Sequence, residues 1–169
     1  SGARNDLAAL GALCRERGVL FCVDAIQSLG CLPLDVEACG IDFLAADGHK
    51  WLLAPEGCGI FYCARRAQGR VAPRVVGWRS VVENWDYDRY HLELQPGAGR
   101  FEEGTPNTAG IFGLGAAIDL LLEIGLDAVG ERVLALTDRL AAALRERGAR
   151  GLSPREPGRA SGIVAFELP

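Results

Sequence analysis

Val19-Leu20-Phe21-Cys22-Val23 is apolar at every position and stops at Asp24. A helix needs a polar face and a half-exposed strand needs alternation, so an unbroken run of this length reads as a strand buried on both faces of a sheet. An amphipathic helix pattern precedes it over residues 6–17, with Leu7, Leu10 and Cys14 on one face and Gly18 as a stop. Asp35–Gly40 follows, with an Asp cap and a Gly stop, and predicts a short helix. Strands are predicted over Asp42–Ala46 and Gly59–Cys63. Helix, strand, short helix, strand is the rhythm of an α/β sheet.

The second half changes character. Pro73, Gly77, Pro96, Gly97, Gly99, Gly104 and Pro106 keep residues 73–107 loop-like, and a loop of that length is more often functional than idle. Two helices are predicted next. The first opens near Asn107-Thr108 with Ile111, Leu114, Ile118, Leu121 and Leu122 on one face. The second spans about 127–147 with Val129, Val133, Leu136, Leu140 and Leu144. Pro154, Pro157 and Gly158 form a linker into a closing strand over Ile163–Phe166.

Bulk properties exclude several function classes. Net charge is −4 with signs interspersed, so no basic face points to nucleic acid. The arginine-rich stretch Arg145–Arg159 also carries Glu146 and Glu156 and reads as solvated surface. No run of about 20 apolar residues offers a membrane span. The six cysteines (14, 22, 31, 39, 58 and 63) include no C-x-x-C, so neither a zinc site nor a disulfide framework is indicated. Most of them read as small buried hydrophobes in a reducing compartment, and a cytoplasmic location is expected. The chain has no methionine and halts as a strand begins, which leads us to expect an internal piece of a longer protein.

Lys50 is the one lysine among 18 lysines and arginines. Coding bias toward arginine explains the ratio but not why one lysine remains. An ammonium can lose its proton and become a nucleophilic amine, which a guanidinium cannot do, so a Schiff-base position cannot drift to arginine. Lys50 follows the second strand in Asp47-Gly48-His49-Lys50-Trp51, and Asp24 ends the first. In open α/β sheets ligands sit beyond the carboxyl ends of the strands. Two strand ends thus offer a carboxylate, a histidine and a lysine to one crevice. Read alone, each also has a plain structural role: Asp24 capping a turn, Gln27 an ordinary turn residue, His49 a packed side chain, Lys50 a surface lysine, Thr105 part of a helix start.

Val23-Asp24-Ala25-Ile26-Gln27-Ser28, Asp47-Gly48-His49-Lys50-Trp51 and Phe101-Glu102-Glu103-Gly104-Thr105-Pro106-Asn107 together resemble the pyridoxal 5'-phosphate (PLP) enzymes of the class V aminotransferase type, nearest the cysteine desulfurase and selenocysteine lyase branch. The resemblance implies an α/β fold of the PLP-dependent transferase type (fold type I). Residues 1–106 would be the second half of the PLP-binding large domain. Residues 107–150 would be linking helices, and 151–169 the start of a small C-terminal α+β domain. It implies that Asp24 holds the proton on the PLP ring nitrogen. At about 4 Å and an effective dielectric near 20, such a pair gains roughly 4 kcal/mol, on the order of three pKa units.

Gln27 then donates to the ring's phenolic oxygen, Lys50 forms the Schiff base and moves the Cα proton, and His49 lies on the phosphate side. Gly104-Thr105 reaches the phosphate of a neighbouring subunit's cofactor, so a homodimer with shared sites acting on an amino-acid substrate is implied. Trp51 is expected to pack, and Arg79 is a candidate for a substrate carboxylate. Many desulfurases carry serine or threonine where Asp47 stands; an ionised Asp there would repel phosphate, so it either points away or marks a branch nearer the epimerase-like members. The family's phosphate loop and ring-stacking aromatic are expected before Ser1, and the desulfurase cysteine beyond Pro169. The expected activity is sulfur or selenium elimination, with transamination or epimerisation of another amino acid as the alternative. A non-catalytic remnant is the third reading, and residues 1–169 alone are expected to be inactive.

Overall fold

A computed structural model describes all of residues 1–169. It is a mixed α/β chain with the order α1 (Leu7–Glu16), β1 (Cys22–Asp24), β2 (Phe43–Asp47), β3 (Gly59–Cys63), α2 (Thr108–Ile124), α3 (Leu126–Glu146), β4 (Arg150–Gly151) and β5 (Phe166–Glu167). The main sheet runs β1-β2-β3, with β1 and β2 parallel and β2 and β3 antiparallel. β4 and β5 form a separate antiparallel pair.

Alternation along the strands divides the core. Val23, Leu44 and Ala46 face one side and pack with Ala25 and Ile41, joined by Leu7 of α1, Phe21 and Val36. Phe43 faces the other side with Cys63, Ala64 and Ala67. There Phe43 stacks on Phe61 at 6.1 Å, and Phe61 meets Phe101 edge-on at 5.2 Å. Leu52, Leu114 and Leu121 make a third cluster that seats α2 beside the sheet. Helix ends follow cap chemistry: the Asp6 carboxylate accepts from Ala9 N and the Asn107 side chain from Gly110 N. Gly125, at φ 88°, ends α2 and starts α3, and the two helices meet at 82°. No helix is long and apolar enough to cross a membrane.

α1 is held close to the segment before β2. A Cβ on Gly11 would stand 1.8 Å from the Cys39 carbonyl oxygen. Gly11→Ala in the full-length protein is therefore expected to cost about 1–3 kcal/mol, as overpacking does, seen as a lower urea midpoint. An unchanged midpoint would mean α1 slides freely off Cys39.

Several expectations need correction. The run at 19–23 is strand only from Cys22, and it is not buried on both faces: Val19 is 56% exposed, and Cys22 and Asp24 are exposed too. β1 pairs on one side only, and its Cys22/Asp24 face carries no covering layer. Only Cys31 and Cys63 of the six cysteines are buried, and burial pushes both thiols up in pKa; Cys14, Cys39 and Cys58 are half-buried and Cys22 is exposed. Residues 35–40 form a turn rather than a helix, although Asp35 caps it as expected, accepting from Glu37 N and Ala38 N at 2.9 Å each. The predicted helix faces are only partly covered: Leu10, Ile111, Leu122, Leu136 and Leu140 are exposed. The closing strand begins at Phe166 and pairs with β4, inside the stretch read as solvated. In that stretch the Arg155 side chain is only 15% exposed and grips Asp138 at 2.6 Å and Thr137 Oγ1 at 2.8 Å.

Candidate active site

Parallel pairing of β1 and β2 puts Asp24 opposite Ala45, so both strands deliver their following loops to one edge of the sheet. The ladder runs one bond further, Ala25 N to Ala45 O at 2.8 Å, and then the chain turns. Ile26 N donates to Asp24 Oδ1 at 3.0 Å. Ser28 N and Leu29 N both donate to Ala25 O at 2.9 Å. This helical turn fixes one Asp24 oxygen and leaves the other without a partner in the chain. Gln27 lies exposed on the same turn, with no hydrogen bond to its side-chain amide.

β2 ends at Asp47 and a closed loop follows. Gly48 N donates to Cys58 O at 2.8 Å, Ala54 N to Gly48 O at 2.9 Å and Leu53 N to Lys50 O at 3.1 Å. A Cβ on Gly48 would meet Cys58 O at 2.7 Å, which is why glycine precedes the pair at the tip, His49 and Lys50. His49 is exposed and Lys50 half-buried. Neither makes a side-chain hydrogen bond or an ion pair within the chain. Asp47 is exposed on the same sheet face as Asp24, two residues beyond Asp24's partner Ala45.

The two loops touch. A Cβ on Gly30 would stand 2.4 Å from Trp51 O, and Gly30 has φ 90°. Glycine alone permits this approach, and it locks the turn carrying Asp24 and Gln27 against the loop carrying His49 and Lys50. The Trp51 ring packs under Gly162, 2.8 Å from that residue's Cβ position, as a packing role requires. Gly30 was not singled out from the sequence, where Leu29-Gly30-Cys31 offered only an unexplained glycine inside an apolar stretch.

A cleft of about 940 Å³ opens beside this edge, walled by Asp24, Gln27 and Ser28 on one side and by Arg4 and Arg159 on another; His49 and Lys50 stand outside its walls. Gly104 and Thr105 lie apart, in the segment before α2. Thr105 is exposed, and its N–H and hydroxyl find no acceptor in the chain. The start of α2 is tied to the loop beyond Lys50, because Asn107 Nδ2 donates to Gly57 O at 3.0 Å. No hydrogen bond joins Thr105 to Asp24, Gln27, His49 or Lys50. The structure thus sets the turn that carries Asp24 and Gln27 against the loop that carries His49 and Lys50, and no hydrogen bond ties Gly104-Thr105 to either.

A family model described as aminotransferase class-V matches residues 1–169. The chain belongs to the class V aminotransferase family. Among its relatives, a probable cysteine desulfurase of Methanothermobacter thermautotrophicus is 39% identical over 82% of this chain and 34% of its own length. An isopenicillin N epimerase of Amycolatopsis lactamdurans is 37% identical over 92% of this chain and 40% of its own length. The solved apo cysteine desulfurase of Thermococcus onnurineus NA1 superposes with a TM-score of 0.88 at 32% identity, covering 99% of this chain and 41% of that one. The chain thus spans 34–41% of the length of these relatives.

Class V aminotransferases use PLP, and the groups gathered here suit it. An acceptor (Asp24), an amide (Gln27), an amine (Lys50) and an imidazole (His49) stand on two adjoining loops; Asp24 keeps one oxygen free, and the other three side chains have no hydrogen-bond partner inside the chain. A pyridinium N–H, a phenolate, an aldehyde carbon and a phosphate need that set of complements.

Proposed function

We propose that this chain is the cofactor-bearing part of a PLP-dependent enzyme that acts on an amino acid through Lys50, and that its reaction is of the cysteine desulfurase type. The observation that carries the reading is Lys50 itself: the one lysine, without an ion partner, on a loop packed against the turn that presents Asp24. PLP, when bound, supplies an electron sink for the pair released at the substrate Cα. Asp24 holds a proton on the ring nitrogen with its unpaired oxygen. Gln27 donates to the phenolic oxygen, and His49 lies toward the phosphate. Lys50 Nζ is the nucleophile that holds the cofactor and, once displaced by substrate, the base that moves the Cα proton. An ammonium locked in an ion pair could do neither, so the absence of a partner fits the role. Gly104-Thr105, with a free N–H and hydroxyl ahead of a helix, serves an anion in the site of a second copy, which makes the working unit a homodimer.

The 37% identity to an isopenicillin N epimerase, with an exposed Asp47 two residues before His49 where many desulfurases carry serine or threonine, favours epimerisation as the second reading. The full-length protein loaded with PLP and given L-cysteine is expected to release sulfide and alanine. Inversion at Cα of another amino acid, without sulfide, would establish the epimerase reading instead. No turnover of any amino acid would leave only a non-catalytic remnant.

A further inference from the structure

The residue after Lys50 is gripped from two sides. The loop around it is short and closed, with Leu53 N donating to Lys50 O at 3.1 Å and Ala54 N to Gly48 O at 2.9 Å. The Trp51 carbonyl oxygen lies 2.4 Å from the Cβ position of Gly30. The Trp51 ring meets Gly162: a Cβ there would stand 2.8 Å from both Cζ2 and Cη2 of the indole, and 3.0 Å from Cys31 Sγ. Cys31 is fully buried, and its N–H donates to Ser28 O at 3.0 Å, which places it on the turn that follows Asp24 and Gln27. Gly162 therefore touches both halves of the site. Its φ is not positive, so the position asks for space rather than for glycine's backbone freedom.

The seat under the ring is firmly held. Ser161 is buried; its hydroxyl donates to Gly2 O at 2.7 Å and accepts from Ile163 N at 3.2 Å. Its carbonyl accepts from Arg155 Nη1 at 3.1 Å and from Thr137 Oγ1 at 3.4 Å, and Arg155 is itself held by Asp138 at 2.6 Å. A segment tied to α3 and to the first residues of the chain yields less readily than a loop tip. The loop, moreover, carries strain: Leu53 has φ 60°, a region that leucine rarely adopts, although its side chain is exposed and gains no burial there. Such a conformation persists where its surroundings impose it. Any shift at the ring contact passes to the Trp51 backbone and so to Lys50, one peptide bond away.

We propose that Trp51 is a positioning residue for Lys50, with Gly162 as its seat, so that the Ser161-Gly162 segment sets where the Lys50 amine stands. The inference rests on the proposed function and deepens it. A reacting group misplaced by about 1 Å can lose on the order of 10²-fold in rate, whereas binding of cofactor and substrate through other groups is spared.

The test uses size compensation in the full-length protein: Gly162→Ala, Trp51→Phe and the double variant. Phenylalanine lacks the two ring atoms that the alanine methyl would strike. Gly162→Ala alone is expected to lower kcat at least about tenfold, with KM and PLP Kd within about threefold of wild type. In the Trp51→Phe background the same change should alter kcat by less than about threefold, because the clash is gone. A readout free of turnover and cofactor accompanies it: the rate at which acetic anhydride acylates Lys50 in the apo-protein, followed by peptide mass. Gly162→Ala should change that rate at least about threefold, and only where Trp51 is present. Should Gly162→Ala fail to fold, Trp51→Phe against wild type is read by the same two measurements, each expected to shift several-fold. Equal losses in both backgrounds, or a lower melting temperature with kcat and acylation unchanged in the folded protein, overturn the positioning role. A wild-type protein that binds no PLP contradicts the proposed function instead, and the acylation rates still decide whether Trp51 places Lys50.

Discussion

Lys50→Ala in the full-length protein is expected to abolish turnover, by at least about 10³-fold, because positioned proton transfer alone contributes roughly 10²–10⁴ and the covalent attachment is lost with it. Lys50→Arg should be equally inactive, since guanidinium keeps the charge but supplies no free amine. The fold should survive both changes: Lys50 is half-buried and its side chain makes no hydrogen bond or ion pair within the chain. Measured kcat for the two variants, with thermal melts beside them, decides the matter. Turnover within tenfold of wild type would remove Lys50 from the chemistry.

Asp24→Ala is the second large effect. A carboxylate about 4 Å from a ring N–H is worth roughly 4 kcal/mol at an effective dielectric near 20, and each 1.4 kcal/mol is about tenfold in rate, so kcat should fall about 10³-fold. Stability should change little, because Asp24 is exposed and its one hydrogen bond, to Ile26 N, contributes on the order of 1 kcal/mol. Asp24→Asn separates charge from shape: the amide can still accept from Ile26 N but cannot hold the ring proton, so its loss should approach that of alanine. A variant with near-normal turnover and tight PLP binding would show that Asp24 does not meet the ring nitrogen.

Legibility from the sequence followed the range of the forces involved. β3 was legible to the residue, and β2 and the start of α2 within one residue, because alternation and caps such as Asn107 are local signals. Asp24 and Lys50 stand out as candidates because a strand-end carboxylate and a lone lysine are unusual residue types at informative places. What depends on distant neighbours was not legible. The run at 19–23 has the composition of a doubly covered strand, but coverage is set by the layers around β1 rather than by its own residues. β4 is two residues long, too short to show a period, and exists because β5 pairs with it. Arg155 looked solvated because its partners Asp138 and Thr137 lie a helix away. The Gly30–Trp51 approach, which joins the halves of the site, is a backbone contact that no side-chain pattern announces.

Reduction of the PLP-loaded full-length protein with borohydride, followed by peptide mapping, tests the account most directly. Before reduction the protein should absorb at about 420 nm, as a protonated lysine–PLP linkage does. Afterwards the band should be gone and the cofactor mass fixed to the peptide containing Lys50. Label on any other peptide, or no label on a protein that binds PLP and turns over substrate, would contradict the assignment of Lys50.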